Sequence, residues 1–348
     1  MNIKQIQGLT RARLEELLDQ MKSRRAVLIG DMCLDVYWFA DMTRSRLSRE
    51  TPHFPLPVVS ERMSAGAGGN AAVDLSALCD NVTPIGVIGE DWRGHCLRDV
   101  LAQSGLPTHA LVTVRGGVTN AYCKPMRRGY AGVDVEDPRI DFEMTEPLPP
   151  EAEDALLAQL NAACAKADVL CVSDQLACGC ISERVRERIN QLAGEGLLTV
   201  VDSRSRIGLY RNCILKPNEL ECARALAALG DGSELNVCDE TSVERGAALL
   251  SERTGSDVCL TLGERGSLIC KNGAYTRVRA IPTTPPVDTV GAGDCFLSAF
   301  SLALAAGATD AEAGVIGAMA SAITVKKINT TGSASRAELL ELFDREGK

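Results

Sequence analysis

Asp288-Thr289-Val290-Gly291-Ala292-Gly293-Asp294-Cys295 is the stretch on which the reading of this chain turns. A turn of minimal side chains, Gly291, Ala292 and Gly293, leads into an apolar run over residues 296–306 that reads as a helix. The first amides of a helix lack intrahelical partners, and the helix dipole places partial positive charge there, so a helix start is a ready anion site. Only very small residues let a phosphate oxygen approach the backbone closely. Asp294 sets a carboxylate beside that site, where it can act as base towards a hydroxyl. A simpler reading of Gly-Ala-Gly-Asp is a loop closed by an N-capping aspartate. Anion turn and base together point to transfer of a phosphoryl group onto an alcohol.

Working outward, apolar runs of strand length alternate with helical periodicity. Residues 26–30, 82–88, 169–173, 197–202 and 258–262 read as buried strands, and residues 70–78, 93–104, 151–166, 182–193 and 240–253 as helices. That alternation predicts an α/β fold, a mostly parallel central sheet with helices on both faces and ligand loops at the carboxyl ends of the strands. Two segments break the rhythm. Residues 36–60 mix aromatics, Thr and Pro, and residues 111–130 alternate in strand fashion, so they could pair as a small sheet outside the main one. Residues 134–150 read as a loop. At the N-terminus, residues 1–23, with Leu9, Leu14, Leu17, Leu18 and Met21 at roughly helical spacing, read as an amphipathic leading helix rather than a targeting signal.

Composition excludes several classes. The formal charge of −9 over 348 residues, with no basic stripe, argues against a general nucleic-acid or acidic-membrane binder. No window is long and apolar enough to span a membrane. The 14 cysteines, in a long chain without a secretion signal, fit reduced thiols in a cytoplasmic protein better than a disulfide framework.

The stretch 288–301 also fits, position by position, the second signature of the PfkB (ribokinase-like) carbohydrate kinases, which this chain resembles over roughly residues 25–340. The resemblance implies a ribokinase-like three-layer α/β/α kinase domain over residues 1–348, with residues 36–60 and 111–130 forming a β-lid that closes over the acceptor and often makes a homodimer contact. It makes Gly291, Ala292 and Gly293 the anion hole for the transferred phosphate and Asp294 the catalytic base. Ala65-Gly66-Ala67-Gly68-Gly69-Asn70 fits the first signature, which implies that Gly68 and Gly69 let a sugar pack on backbone and that Asn70 contacts it. Ala67 stands where close relatives often have glycine, and Cys79 where Gly or Ser is usual. Asp35, just past the first strand, occupies the place of a residue that grips two substrate hydroxyls.

Lys216-Pro217-Asn218-Glu219-Leu220-Glu221 reads locally as a helix start with Asn218 as cap, and it also matches the family's Asn-x-x-Glu motif. The resemblance then gives Asn218 to the nucleotide phosphates and Glu221 to Mg²⁺ through water, in keeping with an ion that retains several waters. Thr261-Leu262-Gly263-Glu264-Arg265-Gly266 reads as a hairpin turn; by resemblance Thr261, Gly263 and Gly266 contact ATP, and residues 320–333 wrap the adenine. Asp288 and Thr289, with backbone from that later loop, are placed to bind a monovalent cation such as K⁺. Gly30-Asp31…Leu34-Asp35…Tyr37-Trp38 and Ser45-Arg46-Leu47-Ser48 look most like the heptose-phosphate kinase branch.

The expected activity is an ATP-dependent sugar kinase, with heptose-phosphate or nucleoside kinases as narrower alternatives. A non-catalytic nucleotide or sugar sensor on the same fold is the alternative of another class. A dinucleotide oxidoreductase is suggested only by Gly66-x-Gly68-x-x-Ala71, which follows the lid-like segment instead of the first strand.

Overall fold

The computed structural model describes residues 5–230, 235–328 and 332–346. A small hairpin of β1 (Gln5–Ile6) and β2 (Leu9–Thr10) leads into α1 (Arg11–Lys22), β3 (Arg25–Gly30), β4 (Met32–Asp41), β5 (Val58–Ala67) and α2 (Gly68–Ser76). There follow β6 (Asn81–Gly89), α3 (Trp92–Gln103), β7 (Leu111–Val114), β8 (Asn120–Arg128), β9 (Asp134–Glu136), β10 (Ile140–Phe142) and α4 (Pro150–Cys164). The second half runs β11 (Val169–Asp174), α5 (Glu183–Gly194), β12 (Thr199–Ser203), β13 (Ile214–Leu215), α6 (Glu219–Ala228) and α7 (Glu240–Thr254). It ends with β14 (Asp257–Thr261), β15 (Ser267–Lys271), β16 (Ala274–Val278), α8 (Ala292–Ala305), α9 (Asp310–Thr324) and α10 (Arg336–Glu346).

Among the described residues, nine strands form the main sheet in the order β16-β15-β14-β13-β12-β11-β3-β6-β7. Pairing is parallel from β14 to β7 and antiparallel between β14, β15 and β16. The central strands are apolar on both faces because helices cover both. Along β3, Ala26 and Leu28 join one buried cluster, with α1, α8, α9 and α10, while Val27 and Ile29 join the other, with α4 to α7. The three layers follow directly from that alternation. In α1, Leu14, Leu17, Leu18 and Met21 are buried, and Thr10 caps the helix by accepting from the Arg13 amide. Leu9 lies in β2, so the helix starts later than the apolar spacing predicts.

A second sheet, in the order β10-β8-β4-β5 with β9 on β8, forms the lid. Its boundaries differ from the expected ones. Leu111–Val114 pairs with β6 and belongs to the main sheet, so the lid's share of that segment begins at Asn120. The lid also takes in β4 from Met32 and β5 to Ala67, while most of residues 42–57 connects them without strand. Residues 134–150 are not simply a loop, since β9 and β10 add two short strands. Among the described residues, no helix is long and apolar enough to cross a membrane.

Candidate active site

β3 and β4 are separated by one residue, Asp31, whose backbone oxygen accepts from the Gly68 amide at 2.9 Å. This brings the start of α2 against the end of the first strand. A side chain on Gly68 would press on the Asp31 carbonyl oxygen at 3.1 Å, and one on Gly69 on Ala65 Cβ at 3.1 Å. Both positions are therefore tight against the chain itself, which favours glycine at each. Ala67 enters the helix at φ +48° and ψ −126°, a backbone region that suits glycine.

Two turns meet above the sheet. Gly291 stands just before α8 in the left-handed region, at φ +79°, and no side chain caps that helix. Asp294 is a first-turn residue and not the cap, which corrects the simpler reading of Gly-Ala-Gly-Asp. The Ala292 amide donates to Thr289 O at 3.3 Å. The next amides, of Gly293 and Asp294, have no intrahelical acceptor. The Asp294 carboxylate instead accepts from Asn70 Nδ2 at 2.8 Å, joining the two glycine-rich signatures. Ser298 Oγ reinforces the junction by donating to Ala71 O at 3.0 Å. Burial pushes the Asp294 carboxyl up to about 6, with the Asn70 bond opposing and the Asp202 charge adding to the rise.

Asp35 lies in β4, opposite Ser64 of β5 and Tyr122 of β8. It is buried, and burial raises its carboxyl above the usual range, opposed chiefly by Lys124 and Arg139. Lys124 Nζ is 3.7 Å from Asp35 Oδ2 and donates to Tyr37 Oη at 2.9 Å. Arg139 covers the Tyr122 ring at 4.3 Å. The lid face that bears Asp35 thus also bears cations and aromatic rings.

A cavity of about 970 Å³ opens on the other side of the anion turn. Its walls include Asn218, Thr261, Gly263, Gly266, Thr289, Ala292 and Gly293, with Phe296, Ala322 and Val325 supplying an apolar side. Asn218 and Glu221 form a reciprocal capping box on α6, each side chain accepting from the other's amide at 2.9 Å. Glu221 uses Oε2 for that bond. Its carboxyl is raised first by burial and then by Asp202. The Thr261 amide donates to Pro217 O at 2.9 Å, which fixes the hairpin beside the cap. Gly263 (φ +57°) and Gly266 (φ +88°) both need glycine's conformational range, and a side chain at Gly266 would also collide with the Val278 carbonyl. Asp288 Oδ1 accepts from the Val290 amide at 3.1 Å, and its own amide donates to Val325 O at 2.8 Å. Of the expected adenine segment 320–333, residues 329–331 lie outside the described residues.

Lys216, the lysine at the head of the Lys-Pro-Asn run, lies beside the candidate site and was given no role by the motif reading. Its ammonium is buried, 3.0 Å from Asp202 Oδ2. Other carboxylates nearby serve the framework. Asp31 accepts from the amides of Gln175, Leu176 and Cys180 at 2.7 to 2.8 Å, and Asp174 binds Arg206, Ser203 and Tyr210. The Gly66-x-Gly68 pattern links the lid strand β5 to α2, whereas a dinucleotide turn would run directly from β3 into a helix; here β3 runs into β4.

Residues 24–337 match the model of the pfkB family carbohydrate kinases. The chain belongs to that family. Its pfkB sequence is 29% identical over 343 residues to a protein of Trichlorobacter lovleyi named bifunctional protein HldE, covering 97% of this chain and 66% of that one. The chain thus spans just under two thirds of that relative's length. In fold this pfkB family member is similar to Arabidopsis thaliana ribokinase complexed with ribose and ATP, at TM-score 0.67 and 19% identity over 92% of this chain and 99% of that one. It is also similar to phosphofructokinase-2 from Escherichia coli in complex with potassium, at TM-score 0.68 and 20% identity over 94% and 100%. The α/β, ribokinase-like fold expected from the sequence is the one found.

Proposed function

We propose that this pfkB family member transfers the γ-phosphoryl group of ATP to a hydroxyl of a sugar phosphate, with a heptose phosphate as the narrowest form of the reading. The observation that carries it is the Asn70–Asp294 hydrogen bond at the head of an uncapped helix, between the lid and the 970 Å³ cavity. Nucleotide in that cavity presents its terminal phosphate to the first-turn amides of α8, with Asn218, Thr261, Gly263 and Gly266 along the polyphosphate. The acceptor lies under the lid, held by Asp35, Asn70 and the backbone of Gly68 and Gly69. Asp294 takes the hydroxyl proton as the oxygen attacks phosphorus. Positioning and preorganised donors supply most of the catalysis in such transfers, and closure of the lid keeps water from competing as acceptor.

Lys124 and Arg139 on the lid face support an acceptor that carries its own anionic group, which favours a sugar phosphate over a nucleoside. The heptose form rests on the N-terminal motifs around Asp31, Asp35 and Tyr37. Glu221 keeps one carboxylate oxygen outside its capping bond, and the described residues hold no cluster of three or more metal ligands. That sparse donor set fits Mg²⁺ held largely by water and phosphate; when bound, the ion would neutralise phosphoryl charge. Asp288 and Thr289 are the residues this reading gives to K⁺. A cytoplasmic homodimer formed through the lid completes the proposal, with Val58 and Val59 exposed on the edge strand β5.

The test is ADP release from ATP and Mg²⁺ against a panel of sugars, sugar phosphates and nucleosides, with Asp294→Asn beside wild type. Acceptor-dependent release that disappears in the variant supports the kinase. Nucleotide binding with no release for any acceptor favours the sensor, and no nucleotide binding rejects both.

A further inference from the structure

Outside the family signatures, the least expected group in the molecule is the ammonium of Lys216. Lys216 is 3% exposed and directly follows the buried strand β13. Val201 of β12 pairs with Leu215, so the next residues along, Asp202 and Lys216, emerge side by side at the carboxyl ends of two parallel strands. The Lys216 amide donates to Val201 O at 2.8 Å, which fixes the start of the side chain, and the 3.0 Å bond to Asp202 Oδ2 fixes its end. A methyl group placed on Gly293 would meet one neighbour within 4 Å, Lys216 Nζ at 3.8 Å. The ammonium therefore faces the middle of the anion turn. Asp202, Glu221 and Asp294 surround it.

Desolvation opposes burial of an ammonium, and a single carboxylate partner would be enough to hold it if its role were structural. Its position beside two first-turn amides is what a structural role does not account for. Compact and with three donors, a lysine ammonium suits a non-bridging phosphoryl oxygen.

We propose that Lys216 is a further catalytic residue, whose ammonium binds the γ-phosphoryl group opposite the amides of α8 and stabilises the charge it carries during transfer. This rests on the kinase reading above. The bond from the γ-phosphorus to the β–γ bridging oxygen breaks, a bond to the acceptor oxygen forms, and the acceptor proton goes to Asp294. The electron pair of the broken bond remains on the β-phosphate of ADP. Lys216 stays protonated throughout and exchanges part of its bond with Asp202 for one with the phosphoryl oxygen. Asp202 is then a positioning residue, which aims the ammonium at the turn in the absence of nucleotide.

The experiment compares wild type, Lys216→Met and Lys216→Arg for affinity towards ADP and towards a non-hydrolysable ATP analogue, by calorimetry with Mg²⁺, and for kcat with the best acceptor. Because ADP lacks the γ-phosphate, Lys216→Met is expected to weaken the analogue by roughly 10-fold or more and to leave ADP within about 2-fold. Its kcat is expected to fall on the order of 10²–10³-fold, the loss typical of one donor to a developing charge. Lys216→Arg is expected to recover part of the selectivity. If Lys216→Met does not fold, the Asp202→Asn/Lys216→Met double variant, which removes both buried charges, carries the same measurements. An unchanged ratio of analogue to ADP affinity, or an unchanged kcat, overturns the assignment while leaving the kinase reading intact. Wild-type protein that binds neither nucleotide overturns both.

Discussion

A carboxyl that titrates at about 6 is ionised through the neutral range and is still more basic than an ordinary aspartate, which suits Asp294 to receive a hydroxyl proton. Activity should fall as pH falls through that value. The Asn70 bond stabilises the charged form, so Asn70→Ala should raise the Asp294 value and move the acidic limb of the kcat/KM profile to higher pH; a limb that stays in place would remove Asn70 from this role. Asp294→Asn should keep nucleotide binding and lose on the order of 10²–10⁴-fold in turnover, measured as ADP release. Asp35→Ala should chiefly raise the KM for the acceptor, and an unchanged acceptor affinity would show that the lid carboxylate does not grip the substrate. At this scale much of the candidate site was legible in the sequence, because the glycine turns and the Asn218–Glu221 spacing are local patterns. It did not carry the meeting of Asn70 with Asp294, since residues 224 apart are joined only by the fold. Lys216 was hidden for a related reason: a lysine before a helix cap reads as surface until the neighbouring strand places Asp202 beside it.

Among the elements, strands of the central sheet were legible because burial on both faces gives continuous apolar runs. Leu111–Val114 reads as a lid strand from sequence because an edge strand of the main sheet is half exposed and alternates just as a lid strand does. The strands at Asp134–Glu136 and Ile140–Phe142 are three residues each and largely exposed, too short for their alternation to stand out, and so read as loop. The start of α2 has its own test. Ala67 holds a backbone conformation that normally costs a non-glycine residue on the order of 1–3 kcal/mol. Ala67→Gly relieves it, at the expense of a more flexible unfolded chain. The net expectation is about 1 kcal/mol of added stability in denaturant unfolding, and a less stable variant would mean that the neighbours already absorb the strain.

At the scale of the whole molecule, buried carboxyls tie stability to pH, and Asp74 does so without a hydrogen-bond partner among the described residues. Asp74 lies on α2, 2% exposed, and neither carboxylate oxygen has a hydrogen-bond partner among the described residues. Burial lifts its carboxyl well above the usual range, the Asp294 charge adds to the rise, and Lys327 opposes it. The folded state therefore binds this proton more tightly than the unfolded chain does. Its stabilising effect is complete below the ordinary aspartate range and is lost as pH rises towards the raised folded value. Asp74→Asn, neutral at every pH, should gain thermal stability relative to wild type as pH is raised from 5 to 8, by an amount on the order of 1–3 kcal/mol at the upper end. A difference that does not change with pH would place the negative charge elsewhere. The three-layer architecture was open to sequence reasoning at this scale, whereas Asp74 looked like one more polar position of an amphipathic helix, because nothing local shows that α8 covers it.

The chain leaves the main sheet for the lid after a single residue, Asp31, and returns through Ala67, and these two crossings are tied together by the Gly68 amide on the Asp31 carbonyl. The Asp31 carboxylate at the same point gathers three amides of the loop after β11. On the kinase reading, the acceptor-facing residues of β4 and β5 are thus suspended from one clasp, while the residues given to phosphoryl transfer belong to other elements, α8 and α6. Such a layout would let substitutions on the lid strands change acceptor choice without disturbing the elements that this reading gives to the nucleotide.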